Sequence, residues 1–241
     1  MKPKISIVVA AYNEEKLLPR FLRSLQGQTY PKEDFEIIIV NNNSTDNTEK
    51  VAKAFETKVY NYTDLQGCGP ARAYGAKQAR GEIVAFSDPD CIVPADWLAK
   101  IEKALSASGL VGIGGPALPD KKSLSMDFLF GFYHYFHLLN KACNKPIVWG
   151  FNMAFKRDAY NAVEGINPAL LSSDDWDLAF RLQKRFGKKS VQYLPDMPVQ
   201  TSVRKQSDRK VFLRYALNGV INYYNYVILG KVKAIPTFNV R

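Results

Sequence analysis

Cysteine and histidine are scarce. The 241 residues include three cysteines, Cys68, Cys91 and Cys143, and two histidines, His134 and His137. The cysteines form no close pair and no C-x-x-C, which excludes a disulfide framework and a thiolate zinc site and fits a reducing cytosol. Long apolar runs are missing as well. The most apolar windows, 128–139 and 219–229, are short and carry histidine or asparagine, so neither reads as a membrane span. The start, Met1-Lys2-Pro3-Lys4, passes into a strand pattern without the apolar stretch and small-residue cleavage site of an export signal. No repeat, low-complexity tract or Pro/Gly/Ser linker divides the chain, so one domain is expected. The expected location is cytoplasmic, and peripheral attachment to the inner face of the membrane stays compatible with it.

Acidic residues are outnumbered, 23 against 33 Lys and Arg, for a net charge of +10. The imbalance is concentrated at 201–241, where Arg204, Lys205, Arg209, Lys210, Arg214, Lys231, Lys233 and Arg241 face the single Asp208. Interleaved with Phe212, Tyr215, Tyr223, Tyr224, Tyr226 and Phe238, this charge suits an anionic bilayer or a phosphorylated substrate. An ordinary solvated basic face is the plainer alternative. Nucleic acid is disfavoured as a partner, because no helix-turn-helix, zinc-finger or RNP pattern accompanies the charge.

What is present is a folded α/β pattern. Hydrophobic residues make up 46% of the chain, enough to bury a sizeable core at this length. Strand signals at 5–10, 35–40, around 58–60 and at 82–87 alternate with helical patterns after Asn13, through Ala54, and from Gly69-Pro70 to Gly81. Asn13 is the expected cap of the first helix, with Glu14 and Glu15 in its first turn. Helices between strands buried on both faces imply a mostly parallel sheet, whose ligands sit beyond the carboxyl ends of the strands. From residue 110 the pattern changes: a strand at 110–115, an aromatic-rich helix at 123–140, a short strand at 152–156, an amphipathic helix at 174–186 and a last helix at 208–229 are expected.

Two acidic groups carry the chemistry. Asp88-Pro89-Asp90 follows the apolar run 82–87, so two carboxylates surface where a buried strand ends. Hard oxygen ligands in that spacing suit Mg(II) or Mn(II), which keep positions open for substrate phosphate oxygens. Asp174-Asp175-Trp176-Asp177 opens a helical pattern far downstream. Singly, each group also fits a bland role, a Pro-containing turn for the first and acids favouring a helix N-terminus for the second.

In combination these segments resemble the family 2 glycosyltransferases, inverting enzymes of the GT-A fold that use nucleotide-sugar donors. The resemblance covers about residues 3–200. It rests on Ile5-Ser6-Ile7-Val8-Val9-Ala10-Ala11-Tyr12-Asn13-Glu14, Gly69-Pro70-Ala71-Arg72-Ala73-Tyr74-Gly75, Asp88-x-Asp90, Gly150-Phe151-Asn152-Met153-Ala154-Phe155-Lys156-Arg157 and Asp174-Asp175-Trp176-Asp177-Leu178. It implies a Rossmann-like, mostly parallel sheet flanked by helices. The expected division is a GT-A domain at 1–200, with a nucleotide-binding half at 1–115 and an acceptor-side half at 116–200, followed by a basic, aromatic helical extension at 201–241. It further implies that Ala10, Tyr12 and Glu14 surround the base, that Arg72 lies near base or phosphate and Asn152 beside the donor sugar, that Asp88 and Asp90 hold Mn(II) or Mg(II), and that Asp175 is the catalytic base. Asp174 and Arg204 become candidate contacts to diphosphate or acceptor.

Two departures from the family pattern stand out. Asn41-Asn42 occupy the positions of an acidic pair; an amide both donates and accepts, so Asn42 can pair with uracil better than with guanine, which favours a UDP-sugar. A histidine expected after the catalytic acid is missing, and His134 and His137, set among aromatics, read as packing or acceptor-contact residues. The expected activity is transfer of a sugar from a nucleotide diphosphate to a hydroxyl of a glycan or lipid-linked acceptor. A polyprenyl-phosphate glycosyltransferase of the same fold and a non-catalytic sugar-nucleotide or glycan-binding module are the alternatives. A nucleotidyltransferase is disfavoured by the lack of a Gly-rich N-terminal signature, and an aspartyl phosphatase by Cys91-Ile92 after the aspartates.

Overall fold

The first strand, β1 (Ile5–Ala11), is buried along its whole length. Its alternate side chains enter two different cores: Ile5, Ile7, Val9 and Ala11 face one, and Val8 and Ala10 the other. A strand covered on both faces needs no polar face, hence the unbroken apolar run. The computed structural model describes residues 3–106, 109–145, 148–170 and 173–204, with isolated positions 217, 220, 221, 223, 224 and 229. Of the expected helix at 208–229 only those isolated positions are described, and the basic residues of 205–241 lie outside the described residues.

Beside β1 lie β2 (Phe35–Asn41) and β3 (Lys58–Asn61) on one side and β4 (Ile83–Ser87) on the other, all parallel. The helices of this half are α1 (Leu18–Gln26), α2 (Thr48–Ala54) and α3 (Cys68–Gln78). After β4 come the two-residue β5 (Cys91–Ile92), α4 (Trp97–Ser106), β6 (Gly112–Gly114), β7 (Ala117–Pro119) and the long α5 (Leu124–Ala142). The chain continues through β8 (Asn152–Lys156), α6 (Arg157–Ala162), α7 (Asp174–Phe186), β9 (Val191–Tyr193) and β10 (Val199–Thr201). The large sheet has the order β3-β2-β1-β4-β8-β6-β9, and both halves of the chain supply its strands.

Within that sheet β8 runs against its neighbours β4 and β6. Its register pairs Asn152 with Ser87, so the start of β8 meets the end of β4 at the carboxyl edge of the parallel strands. A smaller sheet, β5-β10-β7, pairs Thr201 with Cys91. That pairing brings the residues after β10 against the Asp88–Asp90 loop. Gly75 fixes the distance of α3 from the sheet, since a Cβ there would lie 2.5 Å from Val8 Cγ1 and 2.7 Å from Val40 Cγ2.

One expected boundary is corrected. Asn13 does not cap α1, which begins at Leu18 with Pro in its first turn. Asn13 has φ +53°, in the left-handed region that asparagine tolerates, and its Oδ1 accepts from Thr45 N at 2.8 Å. Its side chain thus ties the β1 loop to the β2 loop, and Glu14 and Glu15 belong to that loop and not to a helical turn.

Candidate active site

Two arginines organise the carboxyl edge. Arg72 on α3 is 4% exposed. Its Nη2 donates to Asp88 Oδ1 at 2.7 Å and its Nη1 to Asp174 Oδ2 at 3.1 Å. Burial works against the guanidinium charge, but Cys68, Asp174, Asp88 and Asp175 around it more than offset that and hold it protonated. One side chain therefore clamps the loop after β4 to the first turn of α7, which carries the second acidic group. The second arginine, Arg204, follows β10 and pairs with Glu14 of the β1 loop and with Asp90 Oδ2 at 3.3 Å.

Asp175 is almost enclosed. Its Oδ2 accepts from Gly150 N at 2.7 Å and its Oδ1 from Trp176 N at 2.9 Å. Burial, reinforced by the charge of Asp174, pushes its pKa up to about 7, against the opposing pull of Arg72 and the two backbone donors. A carboxylate with that affinity for a proton is suited to accept one near neutral pH. Gly150 is required by Arg72: a Cβ there would lie 2.1 Å from Nη1. The 149–151 turn thus closes on the arginine while its backbone N–H orients Asp175. Trp149 and Trp176 flank it, with Phe136 of α5 packed into the same small cluster.

The structure brings Glu14, Arg72, Asp88, Asp90, Asp174, Asp175 and Arg204 to this edge, with the half-buried Tyr12 in the same β1 loop as Glu14. The side chains of three residues expected to contact ligand are engaged within the protein. Asn42 is fully buried; its Nδ2 donates to the carbonyls of Tyr62 and Leu65 and its Oδ1 accepts from Gly67 N at 2.8 Å. With its amide committed to shaping the 62–67 loop, it does not present hydrogen bonds to a base. Asn152 is likewise fully buried, taking Trp97 Nε1 at 2.9 Å and giving its N–H groups to Pro116 and Met197. It fastens β8 to α4 and to the 115–116 turn. The Ala10 side chain is in the core beneath β1, so only its backbone, near the carboxyl end of the strand, can face a ligand.

The histidines behave as packing residues. His137 stacks on Tyr193 with ring centroids 4.8 Å apart, and His134 Nδ1 lies 3.1 Å from the Tyr193 hydroxyl. Sequence reasoning did not find the Gly150 donor, nor Thr48, whose Oγ1 accepts from Glu14 N at 2.7 Å and holds the β1 loop. A threonine at a helix start carries a structural signal and no ligand signal.

The donor set fits a divalent ion in a particular way. Among the described residues no three His, Cys, Asp or Glu side chains converge as a metal site. Asp88 and Asp90 offer two hard carboxylates, which matches an ion that completes its shell with phosphate oxygens and water. Both carboxylates are also paired with arginines, Asp88 with Arg72 at 2.7 Å and Asp90 with Arg204 at 3.3 Å, so a bound ion would share them with these cations.

The comparisons agree with this geometry. The description "Glycosyl transferase family 2" matches residues 6–163. Glycosyltransferase AglE of Haloferax volcanii is 35% identical over 118 residues, which is 47% of this chain and 39% of that protein. A poly(ribitol-phosphate) beta-glucosyltransferase of Bacillus spizizenii is 33% identical over 129 residues, 48% of this chain and 20% of that one. The chain thus spans 39% or less of the length of these curated relatives. Among solved structures, the mannosyltransferase PcManGT from Pyrobaculum calidifontis, in complex with GDP-Man and Mn2+, superposes with a TM-score of 0.76 at 22% identity, covering 99% of this chain and 67% of that one. S. aureus TarS 1-349 in complex with UDP-GlcNAc gives 0.66 at 22% identity, covering 83% and 59%. With the family match covering residues 6–163 and the superposition on these solved structures, the chain belongs to glycosyl transferase family 2 and has the GT-A fold.

Proposed function

We propose that the chain transfers a sugar, with inversion, from a nucleoside-diphosphate sugar to a hydroxyl of a glycan or lipid-linked acceptor presented at an anionic membrane surface. The observation that carries this reading is Arg72, which joins the Asp88–Asp90 loop to the α7 acids at one sheet edge. Asp175 takes the acceptor hydroxyl proton; the acceptor oxygen forms a bond to the anomeric carbon as the bond to the diphosphate breaks, and the nucleoside diphosphate leaves. Arg72 and Arg204 supply fixed positive charge on the side where the leaving oxygens gain negative charge. A divalent ion on Asp88 and Asp90 would add Lewis-acid stabilisation there. Tyr12 has the ring to stack on the base. Because Asn42 is committed elsewhere, the argument for uracil over guanine loses its residue, and the nucleotide is chosen by experiment: titration with UDP- and GDP-sugars in the presence of manganese. A hydroxyl acceptor is favoured over a bare lipid phosphate because a phosphate anion has no proton for Asp175 to remove.

Two outcomes are expected. Asp90→Ala keeps the fold, because the half-exposed Arg204 retains Glu14 as its partner, and abolishes manganese-supported binding of the nucleoside diphosphate in calorimetry. Affinity and metal dependence equal to wild type would remove Asp90 from the site. The second concerns pH. Asp175 accepts a proton only when ionised, so kcat/KM for the donor climbs with pH and levels off above about 7. Asp174→Asn removes the neighbouring charge that raises this pKa, and the climb moves to lower pH. A profile that stays in place in Asp174→Asn would dissociate the limb from Asp175.

A further inference from the structure

The outward side of α5 is apolar along its whole length. Leu124, Phe128, Phe132, Tyr135 and Leu139 are 93, 79, 58, 72 and 64% exposed. At about 100° per residue they fall within an arc of about 80°, a stripe about 23 Å long with no acid in it. The opposite side of the helix is held: Tyr133 and His137 pack on Trp149, ring centroids 5.8 and 5.2 Å away, one residue from the Gly150 that holds Asp175. Phe132 stacks on Phe136, which meets Tyr223 at 5.1 Å, so the stripe continues into the described tail positions. There Leu217, Val220 and Tyr224, spaced as one helical face, are 59, 68 and 55% exposed.

Charge decides what covers this face. Lys121 and Lys122 precede the helix and Lys141 and Lys145 close it, while Asp127 is the one acid between them. In a two-fold pairing of α5 with a second copy, the exposed Lys121 and Lys122 at one end would approach their own kind or the exposed Lys145, whichever way the helices ran, while Lys141 is on the held side. An anionic bilayer suits these exposed lysines, takes the aromatic stripe to the depth of its headgroup boundary, and needs no partner shape.

The geometry points to α5 as the membrane-docking element, lying in the plane of an anionic lipid surface with Phe128, Phe132 and Tyr135 inserted. This moves the attachment from the basic tail alone to an element that also packs against the catalytic turn. It deepens, and for its purpose rests on, the reading of a membrane-presented acceptor, but membrane binding is read without any transfer reaction.

The test is flotation of the full chain with phosphatidylcholine vesicles, with and without phosphatidylglycerol. Wild type is expected to float with the anionic vesicles and to be released by salt. Phe128→Ser with Tyr135→Ser, both at exposed positions, should lower the partition by about tenfold or more, and Lys121→Ala with Lys122→Ala should lower it on anionic vesicles. Replacing Arg209, Lys210 and Arg214 by Ala should leave a partition that still depends on Phe128 and Tyr135. The proposal is overturned if wild type ignores both vesicle types, or if the Phe128/Tyr135 variant floats as wild type does. A wild-type dimer that this variant dissociates, without vesicle binding, would overturn it in favour of a second copy. Vesicle binding that persists in a preparation with no transfer activity would count against the catalytic reading and not against the docking face.

Discussion

Asp175→Asn is expected to lower the transfer rate by about 10²- to 10⁴-fold while donor affinity stays near that of wild type, the usual share of a general base. The asparagine keeps one oxygen, enough for Gly150 N or for Trp176 N but not for both, and it cannot take a proton at neutral pH. Stability should change far less than activity. A carboxyl whose native pKa is raised disfavours the fold when ionised: the cost is absent below the unfolded value of about 3.9, grows as pH rises, and is complete above the native value. At pH 8 the neutral asparagine removes that penalty but leaves one buried backbone N–H facing an amide N–H, so the two effects oppose and the melting temperature should move less than in Arg72→Met. Single-turnover kinetics with a donor titration separates the two quantities. Loss of donor affinity with no separate defect in the chemical step would make Asp175 a binding residue.

Arg72→Met is expected to be the most damaging single change to the fold of the site. It leaves Asp88 and the buried Asp174 without the cation between them, and breaking a buried pair by removing one partner typically costs about 3–5 kcal/mol. For a domain of this size that corresponds to a fall in melting temperature of roughly 6–20 °C. Arg72→Lys keeps the charge but not the fork that spans two carboxylates, so it should lose less stability while still weakening donor binding. Denaturant unfolding of the two variants beside Asp175→Asn makes the comparison. Equal stability of Arg72→Met and wild type would mean that the two acidic groups are positioned without the arginine.

Local pattern was sufficient for β1, β2, β4 and β8, because their apolar runs, bounded by Asn, Gly and Asp, have few alternatives. It was also sufficient for α7, whose acids stand at the start and whose Gly187 stands at the end. It failed where a residue's role is set by a distant partner. Asn42 and Asn152 have the composition of ligand-binding residues at a sheet edge, and only the positions of Tyr62, Leu65, Gly67, Trp97 and Met197 reveal that their amides satisfy buried backbone and indole groups instead. Asn13 has the chemistry of a helix cap, yet its positive φ and the Thr45 N–H beside it turn it into a loop tie. The acids of the site were legible because carboxylates at a strand end and a helix start stand out in sequence; the arginine bridges were not, since Arg72 and Asp174 are 102 positions apart.

The pairing of Arg204 with Glu14 joins residues 190 positions apart. Closing so large a loop comes at an entropic cost that must be met before the contact repays it, so this pair forms after the local βα units have formed. During synthesis, the chain through residue 163, the end of the stretch matched to the family, leaves the ribosome before either Asp174 or Arg204. For that interval Arg72 has one of its two carboxylates, and Glu14 and Asp90 have no Arg204 to pair with. The parallel strands β1 to β4 can therefore take shape early, while the site as an electrostatic unit is assembled last, when β10 pairs with β5 and carries the arginine across.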